Sequence, residues 1–237
     1  MYTFSNKLRV GSLVLMVVGA LCWGLGFFSA PSTVEEAKAH VAAHADGHGD
    51  SHAATDGEHG EEAHHDAAHY EHVLHQLQNK PWAALYVAAF FFFMIALGTL
   101  AFYAVQRAAQ AGWSPLLFRV MEGITAYLVP GGIIVFVILV MSVLHWNHLF
   151  VWMDAETVAH DHLLQGKVGY LNSTFFLIRA AIFLGGWIAY RTISRRLSLA
   201  QDNADDNTNF KKNFKWSAAF LVFYLVTESM MSWDWIM

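Results

Sequence analysis

Two ionisable residues lie deep inside long apolar stretches of the sequence. Arg179 follows the start of the stretch Leu171–Ile193 by eight residues, which places it ~12 Å below one membrane interface at ~1.5 Å of helix per residue. Glu228 follows the start of Trp216–Met237 by twelve residues, ~18 Å from the opposite interface of a hydrocarbon core ~30 Å thick. Burying such a charge costs about 2.5–3.5 kcal/mol, so these positions are usually functional. The matching depths predict an ion pair between Arg179 and Glu228.

These groups suggest a proton relay. A carboxyl near the membrane midplane can gain and lose a proton when desolvation and a neighbouring guanidinium compete. We therefore expect Glu228 to be the central proton carrier, with other groups serving the two sides of the membrane. The remaining members of the predicted relay are Asp234, His145, His148 and Asp154 on the outer side, Glu122 and Tyr127 on the inner side, and Tyr224 between them. The competing interpretation is a purely structural ion pair, with His148 and Asp154 as interfacial residues facing water.

A histidine-rich segment between residues 31 and 81 offers a second kind of chemistry. Its first half is rich in glycine and predicts a flexible low-complexity segment, whereas the residues from Asp66 to Asn79 predict a short helix. On that helix His65, His69 and His72 fall at i, i+4 and i+7, a spacing at which imidazoles can share zinc or copper. We favour a solvated linker over a metal site, because such tracts are assigned on composition alone.

Apolar stretches supply the elements that must position these residues. The chain is 56% hydrophobic and only 14% charged, and each stretch is long enough for a helix that crosses a bilayer. We therefore expect an all-α, polytopic transmembrane helical bundle with at least five spans. The predicted spans are Val10–Ala30, Trp82–Val105, Ile124–Leu144, Leu171–Ile193 and Trp216–Met237. The predicted division is an anchor helix (1–30), the histidine-rich loop (31–81) and spans two to five (82–237).

The positions of lysine and arginine predict the orientation. If the N-terminus is cytoplasmic, then ten of the 14 Lys and Arg residues are cytoplasmic, and the outer side keeps only Lys38, Lys80 and Lys167 besides the buried Arg179. The sequence thus predicts a multi-pass protein whose histidine-rich loop faces the opposite side. Pro130, followed by two glycines, predicts a kink in the third span.

Composition also excludes several functions. The single cysteine, Cys22, rules out a Cys-x-x-Cys-His haem attachment site and a cysteine-ligated iron–sulfur cluster on this chain. The net charge of −5 gives no reason to expect a nucleic-acid partner. We expect the apolar helices to be in contact with membrane lipid.

Several long strings of residues resemble one family of membrane subunits. They are Gln78 to Trp82, Gln110 to Pro115, Met121 to Tyr127, His145 to His148, Arg179 to Trp187 and Thr227 to Trp235. In this order they are similar to the F subunit of bacterial alternative complex III, also called quinol:cytochrome c oxidoreductase quinone-binding subunit 2. They also resemble the polysulfide-reductase or NrfD-type membrane subunits. Glu122, His145, Arg179, Glu228 and Asp234 fall inside matching strings, whereas the histidine-rich loop does not.

The resemblance implies a subunit of a respiratory complex in the bacterial inner membrane that oxidises quinol. It implies that this chain binds no cofactor, while quinol, haem c and iron–sulfur clusters belong to partner subunits. The implied partners are the C-type sister membrane subunit, a multihaem cytochrome c, an iron–sulfur subunit and a terminal oxidase. The F subunit is implied to conduct protons. Because the family's chains continue beyond the string ending at Trp235, we expect this chain to be part of a longer protein.

Three other functions compete with this interpretation. A structural membrane anchor for redox subunits would fit if the buried charges only hold helices together. A metal transporter is disfavoured, because ligands are needed near the midplane and no histidine lies there. A di-haem cytochrome b is also disfavoured, because its axial histidines must face one another within the bundle, and only His145 and His148 lie near the helices.

Overall fold

Every regular element that the structure describes is helical, which confirms the predicted all-α class. The computed structural model describes residues 5–45, 62–154, 158–159 and 162–236, and the side chains of residues 40–69, 71, 72 and 163 lie outside this description. The α-helices are α1 (Asn6–Phe28), α2 (Val34–Ala45), α3 (Glu62–Ala108), α4 (Phe118–Ile124), α5 (Leu128–Val143), α6 (His162–Gln165), α7 (Ser173–Gln201) and α8 (Thr208–Ile236). The chain divides into two compact units, Met1–Leu85 and Tyr86–Met237.

Four helical segments are long and apolar enough to cross a membrane. They are Asn6–Phe28, Val73–Ala108, Ser114–Val143 and Ser173–Gln201. Helix α8, the predicted fifth span, is not among them, because Glu228 and several hydroxyl-bearing residues lower its apolar character. The helices therefore support a multi-pass membrane protein, with four spans identified by length and composition among the described residues.

An aromatic contact joins α1 to the middle of α3 within the first unit. The Trp23 ring packs edge-on against Phe27 and Trp82 at centroid distances of 5.0 and 5.8 Å. Its indole Nε1 also donates to the carbonyl oxygen of Pro81 at 3.0 Å. None of the residues of α1 is buried, so the apolar surface of this helix remains exposed along its length.

The histidine-rich segment is more helical than its composition predicts. Helix α2 occupies residues expected to be flexible. Side-chain hydrogen bonds stabilise its start: Glu36 N donates to Thr33 Oγ1 at 3.3 Å, and Ser32 N donates to Glu36 Oε2 at 2.8 Å. Hydrogen bonds from the N–H and the hydroxyl of Ser32 lower the pKa of the Glu36 carboxyl. The glycine-rich residues 46–61 lie outside the described residues.

The expected boundary between the short helix and the second span is also wrong. Helix α3 begins at Glu62 and continues through Pro81 to Ala108. Pro81 lacks the N–H that would bond the carbonyl of Leu77, but one missing hydrogen bond does not break a helix whose apolar half is packed. His65, His69 and His72 lie along the backbone of α3, but their side chains lie outside the description, so the metal-site prediction stays a prediction.

The core of the second unit lies among α3, α5, α7 and α8. Helices α7 and α8 are antiparallel neighbours, and α5 packs against α7. Gly132 permits this approach, since a Cβ there would lie 3.2 Å from Leu184 Cδ2. At Gly186 the Phe223 ring occupies the space that a side chain would need.

A short 3₁₀ segment, Thr125–Tyr127, interrupts the third span between α4 and α5. Pro130 cannot donate the N–H that would bond the carbonyl of Ala126, which weakens α-helical pairing across this segment. The interruption lies near the position of the kink that Pro130 predicts. Glu122 lies in the last turn of α4, just before this segment, and its carboxyl reaches Tyr103 on α3.

Candidate functional site

A buried ion pair joins α7 to the end of α8. Arg179 Nε donates to Asp234 Oδ2 at 2.7 Å, and Arg179 Nη2 donates to Asp234 Oδ1 at 2.9 Å. The two residues are 4% and 1% exposed, respectively. This bidentate geometry satisfies both carboxylate oxygens and neutralises both charges.

Aromatic residues cover the outer face of this ion pair. The Tyr170 carbonyl accepts from Arg179 Nη1 at 3.0 Å, and the rings of Tyr170 and Phe175 lie 3.9 and 4.4 Å from the guanidinium carbon. Burial raises the pKa of the Tyr170 hydroxyl, and its hydrogen bond to Asp234 raises it further. We call Arg179, Asp234, Tyr170 and Phe175 the Arg179 cluster.

The predicted ion pair between Arg179 and Glu228 is wrong. Arg179 pairs with Asp234 instead, six residues further along α8. A separation of six residues corresponds to roughly 9 Å along a helix and roughly 120° around it, so the carboxyls of Glu228 and Asp234 point in different directions. The prediction failed because it counted depth from the ends of the apolar stretches, and these ends do not fix the register between α7 and α8.

A second polar cluster centres on Glu122, which is 5% exposed. Glu122 Oε2 accepts from Arg119 Nη1 at 2.8 Å, and Glu122 Oε1 accepts from the Tyr103 hydroxyl at 3.3 Å. Arg119 also pairs with Asp202 just after α7, and the side chains of Arg119 and Asp202 are 43% and 58% exposed. Arg119 thus connects a buried carboxyl to an exposed one.

The Tyr103 hydroxyl lies at the centre of this cluster. It accepts from Arg107 Nε at 3.1 Å and from Asn213 Nδ2 at 3.3 Å. Both of those groups can only donate, so the single proton of Tyr103 must point to Glu122. The arrangement therefore binds Glu122 as a carboxylate.

The hydrogen bonds continue from Asn213 toward the interior. Ser194 Oγ donates to Asn213 Oδ1 at 2.8 Å, and Ser217 Oγ donates to the Asn213 carbonyl at 2.8 Å. The Tyr190 hydroxyl lies 2.8 Å from Ser217 Oγ. Arg107 Nη2 donates to Ser198 Oγ at 3.3 Å. The Glu122 network comprises Glu122, Tyr103, Arg107, Arg119, Asp202, Asn213, Ser194, Ser198, Ser217 and Tyr190.

An aromatic layer separates the two clusters. It consists of Phe93, Phe183, Trp187 and Trp235, whose neighbouring ring centroids lie 6.1 to 6.3 Å apart. Trp187 Nε1 donates to Thr227 Oγ1 at 3.0 Å, which fixes the ring. Trp187 and Trp235 are 0% and 1% exposed. No hydrogen bond described within this layer continues the Glu122 network to the Arg179 cluster.

None of the other predicted relay residues is a member of the Arg179 cluster or the Glu122 network. Glu228 and Tyr224 are half-buried neighbours on α8, one turn apart, and belong to neither cluster. Tyr127 is 37% exposed, and its ring packs against Gly131. The remaining three, His145, His148 and Asp154, are exposed after α5. Their predicted roles stay predictions.

Sequence reasoning missed most of the Glu122 network. From the sequence, Arg107 and Arg119 were used only to predict the membrane orientation, and Tyr103 and Asn213 were not predicted as site residues. One usable signal was present: polar residues recur one turn apart, as Ser194 with Ser198 on α7 and Asn213 with Ser217 on α8. Such pairs mark one polar face on each helix.

The two clusters have different chemical capacities. The Arg179 cluster is closed, because Arg179 binds both carboxylate oxygens of Asp234 and the Tyr170 hydroxyl adds a further hydrogen bond. The Glu122 network is open at Asp202 and contains groups that can donate and accept protons, namely a carboxyl and hydroxyls. Among the described residues, no group of three or more His, Cys, Asp or Glu side chains is placed to hold a metal ion.

No family model matches the chain, and no curated protein matches it either. Function is therefore inferred from the geometry of the two clusters and from the sequence strings described above.

Proposed function

We propose that this chain is a cofactor-free membrane subunit of a respiratory quinol:cytochrome c or quinol:oxidase electron-transfer complex, and that Glu122 exchanges protons with one aqueous side. The respiratory class rests on the resemblance to alternative complex III F subunits. The quinol, the haems c and the iron–sulfur clusters would then be held by partner subunits. Electron transfer would take place on those partners, while this chain would handle protons.

The single observation that carries the proton role is the placement of Glu122 between an exposed and a buried partner. Arg119 bonds Glu122 and also pairs with the exposed Asp202. On its other side Glu122 accepts from the buried Tyr103 hydroxyl. A proton that enters past Asp202 therefore reaches the carboxyl before it meets the apolar core.

Protonation of Glu122 removes the negative charge that holds its two donors, so one of them can withdraw. Tyr103 is held by Arg107 and Asn213, whereas Arg119 is partly exposed and already has a second acceptor in Asp202. We propose that Arg119 moves fully onto Asp202 as Glu122 takes up a proton from water, and returns when the proton leaves. Asp202 then replaces Glu122 as the carboxylate that pairs with Arg119.

The network ends at Asn213 and Tyr190, on the near side of the aromatic layer. An amide donates and accepts hydrogen bonds but does not readily pass a proton, so Tyr103 is the last ready carrier in a direct line from Glu122. Transfer beyond this point requires water or a rearrangement near Trp187. We propose that Glu122 and Tyr103 form the first half of a proton path, the half next to the aqueous side. Glu228, further along α8, would be the next carboxyl to receive the proton.

The orientation belongs to the same proposal. The Arg119 end carries most of the lysines and arginines, and cytoplasmic loops of membrane proteins are enriched in these residues. We propose the bacterial inner membrane as the location, with the N-terminus and the Arg119 end in the cytoplasm and the histidine-rich loop in the periplasm. Protons would then enter Glu122 from the cytoplasm.

Purification of the tagged chain under mild detergent tests membership in the complex. We expect mass spectrometry to find a multihaem cytochrome c, an iron–sulfur subunit and a sister membrane subunit in fixed stoichiometry with this chain. A terminal oxidase is a further expected partner. Isolation of the chain without redox partners would contradict the respiratory proposal while leaving the geometry of Glu122 intact.

Proton translocation by the intact complex in sealed proteoliposomes tests the role of Glu122. Glu122→Gln keeps the shape of the side chain and removes the titratable proton, so the complex should assemble and oxidise quinol with fewer protons moved per electron. Glu228→Gln on α8 is the comparison variant. An unchanged proton yield in Glu122→Gln would contradict the proposal, and a loss in Glu228→Gln alone would transfer the role to Glu228.

A structural anchor for redox subunits is the second candidate function, and the aromatic layer favours it. Phe93, Trp187 and Trp235 fill the space between the two clusters, as tight packing between helices requires. Under this alternative the intact complex translocates the same number of protons per electron in both glutamine variants. The proteoliposome measurement therefore separates the two functions.

A further inference from the structure

Positive charge accumulates on one face of the last turns of α7, beside the Glu122 network. Arg191 and Arg195 lie one helical turn apart, so their side chains share this face. Arg191 interacts electrostatically with Arg195, which repels it, and with Glu122, which attracts it. The two arginines therefore belong to the same electrostatic environment as Glu122.

The carboxylates in this environment do not balance the arginines. Arg107, Arg119, Arg191 and Arg195 bring four positive charges, whereas Glu122 and Asp202 bring two negative ones. Both carboxylates pair with Arg119. Neither Arg191 nor Arg195 forms an ion pair with any residue that the structure describes.

Arg191 is also incompletely hydrogen-bonded. Its Nε is buried and has no hydrogen-bond partner among the described residues. An unsatisfied buried donor is costly, and the cost is greater when the group is charged. Arginine cannot relieve it by losing its proton, because its guanidinium stays charged in proteins. An anion bound to these guanidinium groups would reduce the charge imbalance and supply hydrogen-bond acceptors.

We propose that Arg191 and Arg195 bind the phosphate of an anionic phospholipid. Guanidinium groups suit phosphate because their N–H groups form parallel charge-assisted hydrogen bonds to its oxygens. Basic pockets between transmembrane helices near a membrane surface are typical sites for anionic lipid head groups. The site needs only the folded chain and a bilayer, so it is independent of the proposed role in proton transfer.

The surroundings favour a lipid over a free phosphate ion. Arg191 lies within a helical segment long and apolar enough to span a membrane, and Arg195 follows it toward the end of that segment. On α4, the helix that carries Glu122, the outward positions Val120 and Ile124 are apolar and are 57% and 44% exposed. Acyl chains can cover these side chains while the phosphate reaches the two arginines.

Native mass spectrometry of the purified full-length chain tests the site. The probes are phosphatidylglycerol and phosphatidylcholine with identical acyl chains, and the variants are Arg191→Gln and Arg195→Gln. We expect phosphatidylglycerol to bind the unmodified chain more tightly, and each variant to weaken that binding about fivefold, the effect of one basic residue near a membrane surface. Thermal unfolding of each variant shows whether it remains folded, and the Arg195 variant provides the test if the Arg191 variant does not fold.

Arg196→Gln is the matched control. This substitution removes the same charge at the same end of α7. Arg196, however, lies about 100° around the helix from Arg195 and is exposed. We expect its effect to be clearly smaller than that of the other two. Equal losses in all three variants, or equal binding of phosphatidylcholine, would overturn the site. Glycerol phosphate that binds as tightly, with the same dependence on Arg191 and Arg195, would identify a free-anion site and overturn the lipid assignment.

Discussion

The Arg179 cluster and the Glu122 network stabilise a buried carboxylate in different ways. Each places a buried carboxylate beside an arginine. Asp234 receives a bidentate pair of hydrogen bonds from the Arg179 guanidinium and a further one from the Tyr170 hydroxyl. Glu122 divides its oxygens between Arg119 and Tyr103, and Arg119 has a second carboxylate available. The first arrangement fixes a carboxylate in one state, and the second offers a route to another state.

Removal of the charge of Asp234 should have the largest effect on stability. Asp234→Asn leaves Arg179 buried without a counter-charge, and breaking one partner of a buried pair costs about 3–5 kcal/mol. Denaturant unfolding of the chain in mixed micelles measures this loss. Glu228→Gln on the same helix is the control and should be much milder, whereas an equal loss there would restore the ion pair between Arg179 and Glu228.

Removal of the Tyr103 hydroxyl should have the next largest effect. Tyr103→Phe takes one partner each from Arg107, Asn213 and Glu122, and buried groups left unsatisfied cost about 1–3 kcal/mol. Tyr127→Phe is the matched control, because Tyr127 is partly exposed and forms no hydrogen bond that the structure describes. The same unfolding measurement applies, and equal losses in the two variants would show that Tyr103 does not hold the network together.

Replacement of Arg119 should cost less than either change above. Arg119→Gln removes a guanidinium that is 43% exposed, and Glu122 keeps the hydrogen bond from the Tyr103 hydroxyl, so the loss should be smaller than at the fully buried pair. Arg179→Gln provides the direct comparison, since the same substitution there strands the buried Asp234. If the two arginine variants unfold at the same denaturant concentration, the distinction between an open and a closed cluster fails.

The smallest expected effect is on the titration of Tyr170. The pKa of this hydroxyl is raised by burial and by Asp234, so the neutral form is favoured in the folded protein. This contribution to stability is present below the ordinary tyrosine pKa and is lost as pH rises through the raised value. Absorbance of tyrosinate, compared with a Tyr170→Phe reference, follows the titration. Asp234→Asn should lower the pKa of Tyr170, and no change would exclude the hydrogen bond to Asp234.

The sequence was sufficient to predict the helical class and most of the apolar segments, because hydrophobic length is a local property. The partner of Arg179 could not be predicted in the same way. Its identity depends on the register between α7 and α8, which packing such as that of Gly186 against Phe223 determines. Glu122 was predicted as a site residue, but Tyr103 and Asn213 lie 19 and 91 residues from it in the chain and meet it only after folding.

Infrared spectroscopy of the full-length chain in lipid nanodiscs tests the central claim most directly. A protonated carboxyl has a C=O stretching band that an ionised one lacks, so a proton-exchanging group gives a band that changes reversibly with pH. The chain has 19 Asp and Glu residues, so the signal is read from the difference between the spectra of the variants. We predict a component of the band that is present in the unmodified chain, lost in Glu122→Gln and retained in Asp234→Asn. A band that persists in Glu122→Gln and vanishes in Asp234→Asn would contradict the account, because the closed cluster would then be the one that exchanges protons.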